Sequence, residues 1–416
     1  MNNQLALASF PSGWIENWIE NDGKHSATSI TTGELSCCLL ATYQTRLAYN
    51  QLHHEIEIDR QTLRGLAQEN FYVLLSEKGW KISKTGAYDT LVMAAQQNNY
   101  HPVVEYLNCI EVDPLIQPCD IDTIATNYLE TTDPLYDAML AATLIGAIAR
   151  ALNPGCKFDN CCTLKGGQGI RKSSFWKALA RPDWFCDTWQ DKSQDLFMAI
   201  QTCWFYEIAE LDNLTTKKEA SVLKALLSSD TDTFRPPYAK KPEKYPRPSV
   251  LVGTCNREDF LNDPTGSRRY WIIDLPHDKE KGEVINIDRV IKDRDSIFKA
   301  ALIAYRNGRQ SWLTDEQQAA SNKRNLGFEA EHPFMTRLAE FVNKNKFPFT
   351  TSDALEKSGC RDANQQRSND FKDAAQCLNA LGYVQDKNQT RRGKNRIRLW
   401  QPASDDSAAV QAPESG

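Results

Sequence analysis

A glycine-rich stretch stands between an apolar segment and a helical pattern near the middle of the chain. It runs Thr163-Leu-Lys-Gly-Gly-Gln-Gly-Ile-Arg-Lys-Ser-Ser174, and the helical pattern Phe175-Trp-Lys-Ala-Leu-Ala180 follows it. A strand that turns through glycines into a helix directs several backbone N–H groups to one place, where the helix N-terminus adds positive potential. Phosphate binds well in such a turn. The stretch therefore predicts a nucleoside triphosphate site on an α/β fold.

This candidate phosphate loop fits the pattern G-x-x-x-x-G-K-[ST] at its first glycine, Gly166, and at its closing pair, Lys172 and Ser173. We expect Lys172 to reach the β- and γ-phosphates and the Ser173 hydroxyl to hold Mg²⁺. The prediction of ATP contacts covers nine residues of the loop, namely Gly166, Gly167, Gln168, Gly169, Ile170, Arg171, Lys172, Ser173 and Ser174.

Arg171 stands where the pattern has its second glycine. Glycine there permits a positive φ, which costs any other residue about 1–3 kcal/mol. Against this cost, an arginine places a cation beside the phosphates, and Gly167 and Gly169 leave the turn some freedom. We expect a functioning ATPase that Lys172→Ala inactivates, with weakened hydrolysis as the alternative.

Two acidic residues and an amide follow β-prone runs further along the chain. Residues 201–206 predict a buried parallel strand, with Glu207 and Glu210 at its carboxyl end. One carboxylate in this place can bind Mg²⁺, and a second can orient the attacking water. The next predicted strand, residues 248–255, ends at Asn256, whose amide is suited to positioning that water.

Paired arginines, Arg268 and Arg269, follow this second strand. A forked guanidinium stabilises the charge of a transferred phosphate well. We expect one of the two to complete the γ-phosphate site of a neighbouring subunit, and the sequence leaves open which one.

Taken in order, these motifs resemble the virulence-associated E family, a group of mobile-element AAA+ ATPases similar to superfamily 3 helicases. The resemblance covers residues 85–275 and rests on six segments, namely residues 101–107, 153–159, 207–212, 234–238, 253–256 and 265–271. It implies a P-loop AAA+ core that binds ATP and Mg²⁺ between the subunits of a six-membered ring. It also implies a role for each motif. Lys172 and Ser173 would be Walker A residues, and Glu207 and Glu210 the Walker B acids. Asn256 would be sensor 1, and Arg268 or Arg269 the arginine finger.

The patterning along the 416 residues predicts three folded parts and a tail. Residues 1–150 are expected to form a mostly helical N-terminal collar with a small sheet at residues 47–59, and residues 151–330 the P-loop core with its parallel sheet. Residues 331–402 show three helical patterns, then two alternating strands around a basic turn at 390–395, which is typical of a winged helix. Residues 403–416 are small and polar, as in a disordered tail.

Positive charge is concentrated in two places although the net charge is −5. The first is a proline-rich, aromatic segment between residues 232 and 248, predicted to be a projecting hairpin or loop that includes Arg247. By resemblance, superfamily 3 helicases grip DNA with an insertion in this position. The second is the basic turn of the predicted winged helix. The expected DNA contacts are Lys240, Lys241, Lys244, Arg391, Arg392 and Lys394. A solvated surface, or a loop docked on a neighbouring subunit, is the alternative.

Other features argue against further classes of site. None of the 12 cysteines forms a Cys-x-x-Cys pair. Several lie in apolar runs, which is typical of reduced, buried thiols, namely Cys37, Cys38, Cys161, Cys162, Cys203 and Cys255. Asp120 and Asp122 follow a proline and precede a helical pattern, so we expect caps and not a primase metal site.

The chain has no obvious signal peptide and no apolar run of roughly 20 residues, so we expect a cytoplasmic protein without membrane contact.

The sequence therefore predicts an ATP-dependent DNA helicase or helicase-like replication ATPase of a mobile element or prophage. Its expected partners are single-stranded or forked DNA, further copies of itself in a hexamer, and a possible separate primase. The alternative is a DNA-binding initiator or regulator that is no motor, in which ATP sets assembly and hydrolysis is weak. A small-molecule P-loop kinase is disfavoured by the paired arginines and the basic segments.

Overall fold

The computed structural model describes residues 28–63, 70–190, 192–211, 217–235, 241–257, 261, 267–328, 333–345, 347–386, 390–392 and 395–403. These residues form two compact units, and the chain passes from the first to the second between Phe328 and Pro333.

The first unit begins with a small mixed subdomain. Its elements are β1 (Thr28–Ser29), α1 (Thr32–Tyr43), β2 (Leu47–Asn50), β3 (Glu55–Ile58), β4 (Gln61–Thr62), α2 (Phe71–Glu77), β5 (Trp80–Lys81), α3 (Lys84–Gln96) and β6 (Asn99–Tyr100). Four of the strands form a sheet in the order β4-β3-β2-β6, and β1 pairs with β5. The helices pack against this sheet around Leu39, Leu75 and Leu91. The small sheet expected at residues 47–59 is confirmed, and β4 and β6 extend it.

Three further helices pack against the central sheet and share its core. They are α4 (Pro102–Val112), α5 (Ile124–Leu129) and α6 (Pro134–Leu152). Asp133 caps α6 by accepting the backbone N–H of Leu135 at 2.9 Å, and Pro134 suits the first helical position. The inner residues of α6, among them Leu140 and Leu144, share one core with the parallel sheet. The domain boundary predicted after residue 150 therefore falls inside a packed core.

Helix α6 is the one helix in the described part of the chain that is long and apolar enough to cross a bilayer. Of its most apolar 18-residue window, 83% is buried inside the protein. Its composition is that of a core helix, because it lies between the sheet and the helices around it.

The central sheet has five parallel strands, each separated from the next by helical or looped chain. The elements of this region are β7 (Cys161–Lys165), α7 (Lys172–Ala180), β8 (Phe185–Cys186), α8 (Ser193–Gln201), β9 (Phe205–Ile208), α9 (Lys217–Ser228), β10 (Thr231–Phe234), β11 (Glu243–Pro246), β12 (Val250–Cys255), β13 (Tyr270–Asp274), α10 (Ile287–Arg306) and α11 (Asp315–Asn325). The sheet order is β13-β7-β12-β9-β8, while β10 and β11 form a separate antiparallel hairpin.

Both faces of the sheet are covered, so successive residues of a strand face two different cores. Val252 and Trp271 pack with α6, α7 and α10, whereas Leu251 and Ile272 pack with α8 and α9. A parallel sheet covered on both sides needs strands that are apolar throughout, and β12 is buried at all six positions. The α/β expectation with a parallel sheet is confirmed.

The strand that carries Glu207 starts later than predicted. Residues up to Gln201 belong to α8, because Leu196 and Ile200 recur at helical spacing and pack into the core. The strand β9 begins at Phe205. Glu207 therefore lies inside a buried strand and not after its end.

The second unit contains α12 (Met335–Lys344), α13 (Thr351–Lys357), α14 (Ser368–Ala380), β14 (Tyr383–Gln385), β15 (Thr390–Arg392), β16 (Asn395–Ile397) and β17 (Trp400–Pro402). The three predicted helices are confirmed and pack around Leu338, Leu355 and Leu378. Strand β14 pairs with β17, and β15 with β16. Residues 390–392, predicted as part of a turn, are therefore a strand.

All 12 cysteines are free thiols. Cys161, Cys162, Cys203 and Cys255 are buried as expected, and burial raises the pKa of the Cys161 thiol to about 12. Cys37, also expected to be buried, is exposed on α1.

Candidate nucleotide-binding site

The glycine-rich loop leaves the carboxyl end of β7 and enters α7. It is anchored at both ends, because Gly166 donates its N–H to the carbonyl of Cys255 at 3.3 Å and Ile170 is fully buried. Between these anchors the residues 167–169 are exposed. The side chain of Ile170 points into the core, so this residue offers only its backbone to a ligand.

Arg171 adopts the left-handed conformation that glycine would permit at this position, with φ 71° and ψ 32°. It is the N-cap of α7, and its carbonyl accepts the N–H of Phe175 at 3.0 Å. A residue with a Cβ pays about 1–3 kcal/mol for this backbone, which glycine adopts without strain. The loop therefore keeps the backbone shape of a glycine position with an exposed arginine in place.

Lys172 is 7% exposed and lies at the mouth of the loop. Its ammonium donates to the carbonyls of Gly166 and Gly167 at 2.7 and 2.8 Å, and to Oδ1 of Asn256 at 2.9 Å. These contacts bring together the loop, the first residue of α7 and the residue that follows β12. A phosphate oxygen bound at the loop can be reached by this ammonium through rotation of a flexible side chain.

Glu207 is 1% exposed and accepts two hydrogen bonds at one oxygen. Ser173 Oγ donates to Glu207 Oε1 at 2.7 Å, and Thr254 Oγ1 donates to the same atom at 2.8 Å. Burial raises the pKa of the Glu207 carboxyl above its usual range, while these bonds and the Lys172 charge oppose the rise. The other oxygen, Oε2, is buried and has no hydrogen-bond partner among the described residues.

Ser173 and Glu207 fit a bound Mg²⁺. A buried carboxylate oxygen with no described partner is costly unless a ligand satisfies it, and a cation is the ligand that a carboxylate prefers. The described residues contain no group of three or more His, Cys, Asp or Glu side chains that could hold a metal. Mg²⁺ at a nucleotide does not need one, because phosphate oxygens and waters complete its shell.

Glu210 lies two residues beyond β9, with an exposed side chain and a φ of 52°. It is at the same edge of the sheet as the loop, since it follows a parallel strand at its carboxyl end. Its predicted role in orienting water stays a prediction.

Arg268 and Arg269 lie at the opposite edge of the sheet. They form a short turn before β13, whose first residue, Tyr270, is in register with Cys161 at the start of β7. Arg269 Nε donates to Ser228 Oγ at 3.0 Å, and Arg268 is exposed. The five residues of β13 separate this turn from the loop by about 17 Å. Within one chain, the arginines and the loop do not come together.

Residues 115–330 match the virulence-associated protein E-like domain. The chain belongs to this family. The matched range contains the glycine-rich loop, both acidic residues, Asn256 and the paired arginines.

Solved structures similar to this family member include apo forms of the C-terminal region of NrS-1, residues 305–718. Two of them share 12% identity with the chain over 70% of its length and cover 76% and 77% of their own, with TM-scores of 0.43 and 0.42. No curated protein matches the chain.

The predicted DNA contacts fall on two hairpins. Lys241 and Lys244 are exposed, the latter on β11, and Arg391 and Arg392 lie on β15. Lys240 and Lys394 lie outside the described residues. These assignments stay predictions.

Arg247, counted with the first basic cluster, is buried. It is 1% exposed and forms an ion pair with Asp232 on β10, with Nε to Oδ2 at 3.0 Å and Nη2 to Oδ1 at 2.5 Å. Its Nη1 also donates to the carbonyl of Leu226 at 2.7 Å. Each of the three guanidinium nitrogens donates a hydrogen bond to an oxygen inside the protein. Arg247 therefore fixes the base of the hairpin and is not available to DNA.

Two residues of the site were missed in the sequence. Thr254 donates to Glu207, and Trp176 Nε1 donates to the carbonyl of Gly253 at 3.2 Å, which fixes α7 against β12. A signal for Thr254 exists, because a hydroxyl two residues before a strand-end amide lies on the same face of the strand. Its partner is set by strand pairing, in which Val252 is in register with Glu207.

Proposed function

We propose that this chain is a Mg²⁺-dependent ATP hydrolase of the AAA+ type that works as a helicase or helicase-like motor in the replication of a mobile element or prophage. The observation that carries the proposal is the convergence of Lys172, Ser173, Glu207 and Asn256 at one edge of the sheet. These four side chains come from three separate parts of the chain and meet beside an exposed glycine-rich loop.

Each of these groups has a task in phosphate chemistry. The backbone N–H groups of the loop and the Lys172 ammonium bind the phosphates, and Ser173 with Glu207 holds the metal ion. Bound Mg²⁺ would neutralise charge that develops on the phosphate oxygens. Asn256 positions the attacking water, and Glu210 orients it.

The proposed site is completed by a second copy of the chain. Because Arg268 and Arg269 lie at the far edge of their own sheet, either can act as a finger only on a neighbour's nucleotide. A ring of six subunits, as the family resemblance implies, supplies one such arginine to every site. DNA would then contact Lys241 and Lys244 on the first hairpin and the basic strand pair of the second unit.

One observation favours a second function. Arg171 holds a left-handed backbone where a phosphate loop ordinarily has glycine. A DNA-binding initiator or regulator that uses ATP for assembly and hydrolyses it slowly would tolerate this feature better than a fast motor.

ATP hydrolysis and strand separation test the two functions together. We expect the purified chain to hydrolyse ATP with Mg²⁺ and to separate a forked duplex, and we expect Lys172→Ala to do neither. Lys177→Ala is the matched control, because Lys177 is an exposed lysine on the same helix. Hydrolysis that survives in Lys172→Ala contradicts the ATPase proposal. Hydrolysis and DNA binding without strand separation favour the initiator or regulator.

A further inference from the structure

The segment that follows β13 lies across the glycine-rich loop. Leu275 donates its N–H to the carbonyl of Lys165 at 2.9 Å, and Ile285 donates to the carbonyl of Ile170 at 3.3 Å. We call residues 275–285 the strap, because it touches the loop at its beginning and near its end. The strap lies more than 100 residues beyond the loop in the chain, outside the pattern G-x-x-x-x-G-K-[ST].

A turn inside the strap is fixed by its own hydrogen bonds. Asp278 accepts the N–H groups of Lys281 and Glu283 at its carbonyl, at 3.2 and 2.8 Å, and that of Glu280 at its carboxylate, at 2.9 Å. The Glu280 N–H and the Lys281 ammonium, 3.3 Å away, hold the pKa of the Asp278 carboxyl below its usual range. The backbone hydrogen bonds define the turn from which Lys279 projects.

Lys279 extends from this turn over the middle of the loop. A Cβ placed on Gly169 would lie 2.7 Å from Lys279 Cδ and 2.9 Å from its Nζ. The side chain thus lies directly against the backbone of Gly169. Lys172 contacts the loop at Gly166 and Gly167. Two ammonium groups therefore lie at different positions along one loop.

We propose that Lys279 is a second phosphate-binding cation, supplied by the same chain as the loop, that contacts the β- or γ-phosphate of a bound nucleoside triphosphate. This inference rests on the proposed function, because it names a further residue of the same site. The exposed part of the loop, residues 167–169, is where backbone N–H groups can face a phosphate, and the Lys279 ammonium lies at that part.

Charge explains why phosphate is the ligand that Lys279 fits. An ammonium on a flexible stem acts as a point charge, which suits a polyphosphate and adds little to the recognition of a base. Its contribution should grow with the number of phosphates. A strap that only packs against the loop would affect ATP, ADP and AMP equally.

The chain offers a matched pair of variants for the test. Lys279→Met removes the proposed contact and keeps the length of the side chain. Lys281→Met removes a lysine of the same turn whose ammonium pairs with Asp278 and not with the loop. Both lysines are exposed, so neither change threatens the fold. Lys279→Arg restores the cation.

Binding of ATP, ADP and AMP with Mg²⁺, measured by titration calorimetry on the full chain, gives the answer. We expect Lys279→Met to weaken ATP binding about tenfold, ADP binding less and AMP binding little, as for the loss of one charged phosphate contact. Lys281→Met should match the wild type, and Lys279→Arg should recover most of the ATP affinity.

The possible failures separate the two proposals. Unchanged ATP binding in Lys279→Met, or an equal loss for all three nucleotides, overturns the role of Lys279 and leaves the ATPase proposal intact. A wild-type chain that binds no ATP, or a Lys172→Ala variant that binds and hydrolyses it normally, overturns the proposed function itself.

Discussion

The two edges of the central sheet differ in how completely their polar groups are used. At the carboxyl edge, Lys172, Ser173 and Glu207 are joined to strand residues by short hydrogen bonds. At the amino edge, the Arg268 side chain is exposed, and Arg269 is anchored through Nε to a serine hydroxyl. A site that is complete within one chain would place these arginines beside its own phosphate loop.

Under the proposed function, this contrast means that the chain carries two complementary halves of one site. The first half would bind the nucleotide, and the second would stabilise charge on a nucleotide held by another copy. Four predictions, from the largest expected effect to the smallest, test or refine this division.

Arginine replacement gives the largest effect. We expect either Arg268→Ala or Arg269→Ala to lower ATP hydrolysis about 10³-fold, as for the loss of an arginine finger, and to leave the ATP dissociation constant nearly unchanged. Steady-state hydrolysis and equilibrium binding measure the two quantities. The arginine that is not the finger serves as the control for the one that is.

Mixing of subunits sharpens the same prediction. Lys172→Ala and the inactive arginine variant should each be inactive alone and regain part of the activity when combined, because some interfaces then contain two intact halves. A mixture that stays inactive, although both variants assemble, would contradict a site shared between copies.

The hydroxyl of Thr254 has the next largest effect. Thr254→Val keeps the shape of the side chain but removes one of the two hydrogen bonds to Glu207. We expect hydrolysis to fall about tenfold, in line with the loss of a hydrogen bond to a charged group. Thr254→Ser retains the hydroxyl and should stay close to the wild type. Equal activity of the valine and serine variants would show that Glu207 does not depend on this bond.

Glu207 should make stability depend on pH. Burial raises its folded-state pKa above the ordinary 4.5, so the folded protein holds this proton more tightly than the unfolded chain does. At low pH the carboxyl is protonated in both the folded and the unfolded state, and it does not lower the free energy of unfolding. As the pH rises from 4.5 through the folded pKa, the carboxyl lowers the free energy of unfolding by an increasing amount.

Glu207→Gln removes this cost and keeps an oxygen that accepts from Ser173 and Thr254. Without nucleotide, its thermal midpoint should equal that of the wild type near pH 4 and exceed it at pH 8, by about 2–4 °C per kcal/mol. Thermal unfolding across this range measures the difference. A difference in thermal midpoint between the variant and the wild type that shrinks as the pH rises would contradict this prediction.

Arg171 gives the smallest effect. Arg171→Gly relieves the strain of a left-handed backbone, and the greater freedom of glycine in the unfolded chain offsets part of the gain. We expect the free energy of unfolding to rise by about 0.5–1 kcal/mol. Chemical denaturation measures it, and a destabilised variant would mean that the arginine side chain makes contacts worth more than the strain.

The local features of the site could be predicted from the sequence. The strand, the glycine-rich turn and the start of α7 are adjacent in the chain, so spacing alone predicts the strand, turn and helix that carry Lys172 and Ser173. The glycine of the pattern also marks position 171 as the place where a positive φ would strain the backbone, and Arg171 has a φ of 71°. Such features depend on residues within one turn of each other.

Features that depend on distant pairing were missed or misplaced. Thr254 meets Glu207 only because β12 lies beside β9 in one register, and Lys279 meets Gly169 only because the strap returns over the loop. Arg247 was counted as a surface charge because nothing near it in the chain shows that Asp232 pairs with it across the hairpin. A run of charged residues in the sequence does not show which of its side chains are buried, because burial is set by the tertiary fold.

The root of the β10–β11 hairpin has a mechanical consequence. Only residues 247–249 separate β11 from β12, and the buried ion pair of Arg247 and Asp232 joins this short connection to β10. Strand β12 runs from there for about 20 Å to Asn256, which holds the ammonium of Lys172. The base of the hairpin and Asn256 thus lie at opposite ends of one buried strand. Under the proposed function, β12 would be the direct covalent connection between the nucleotide site and the hairpin that carries Lys244.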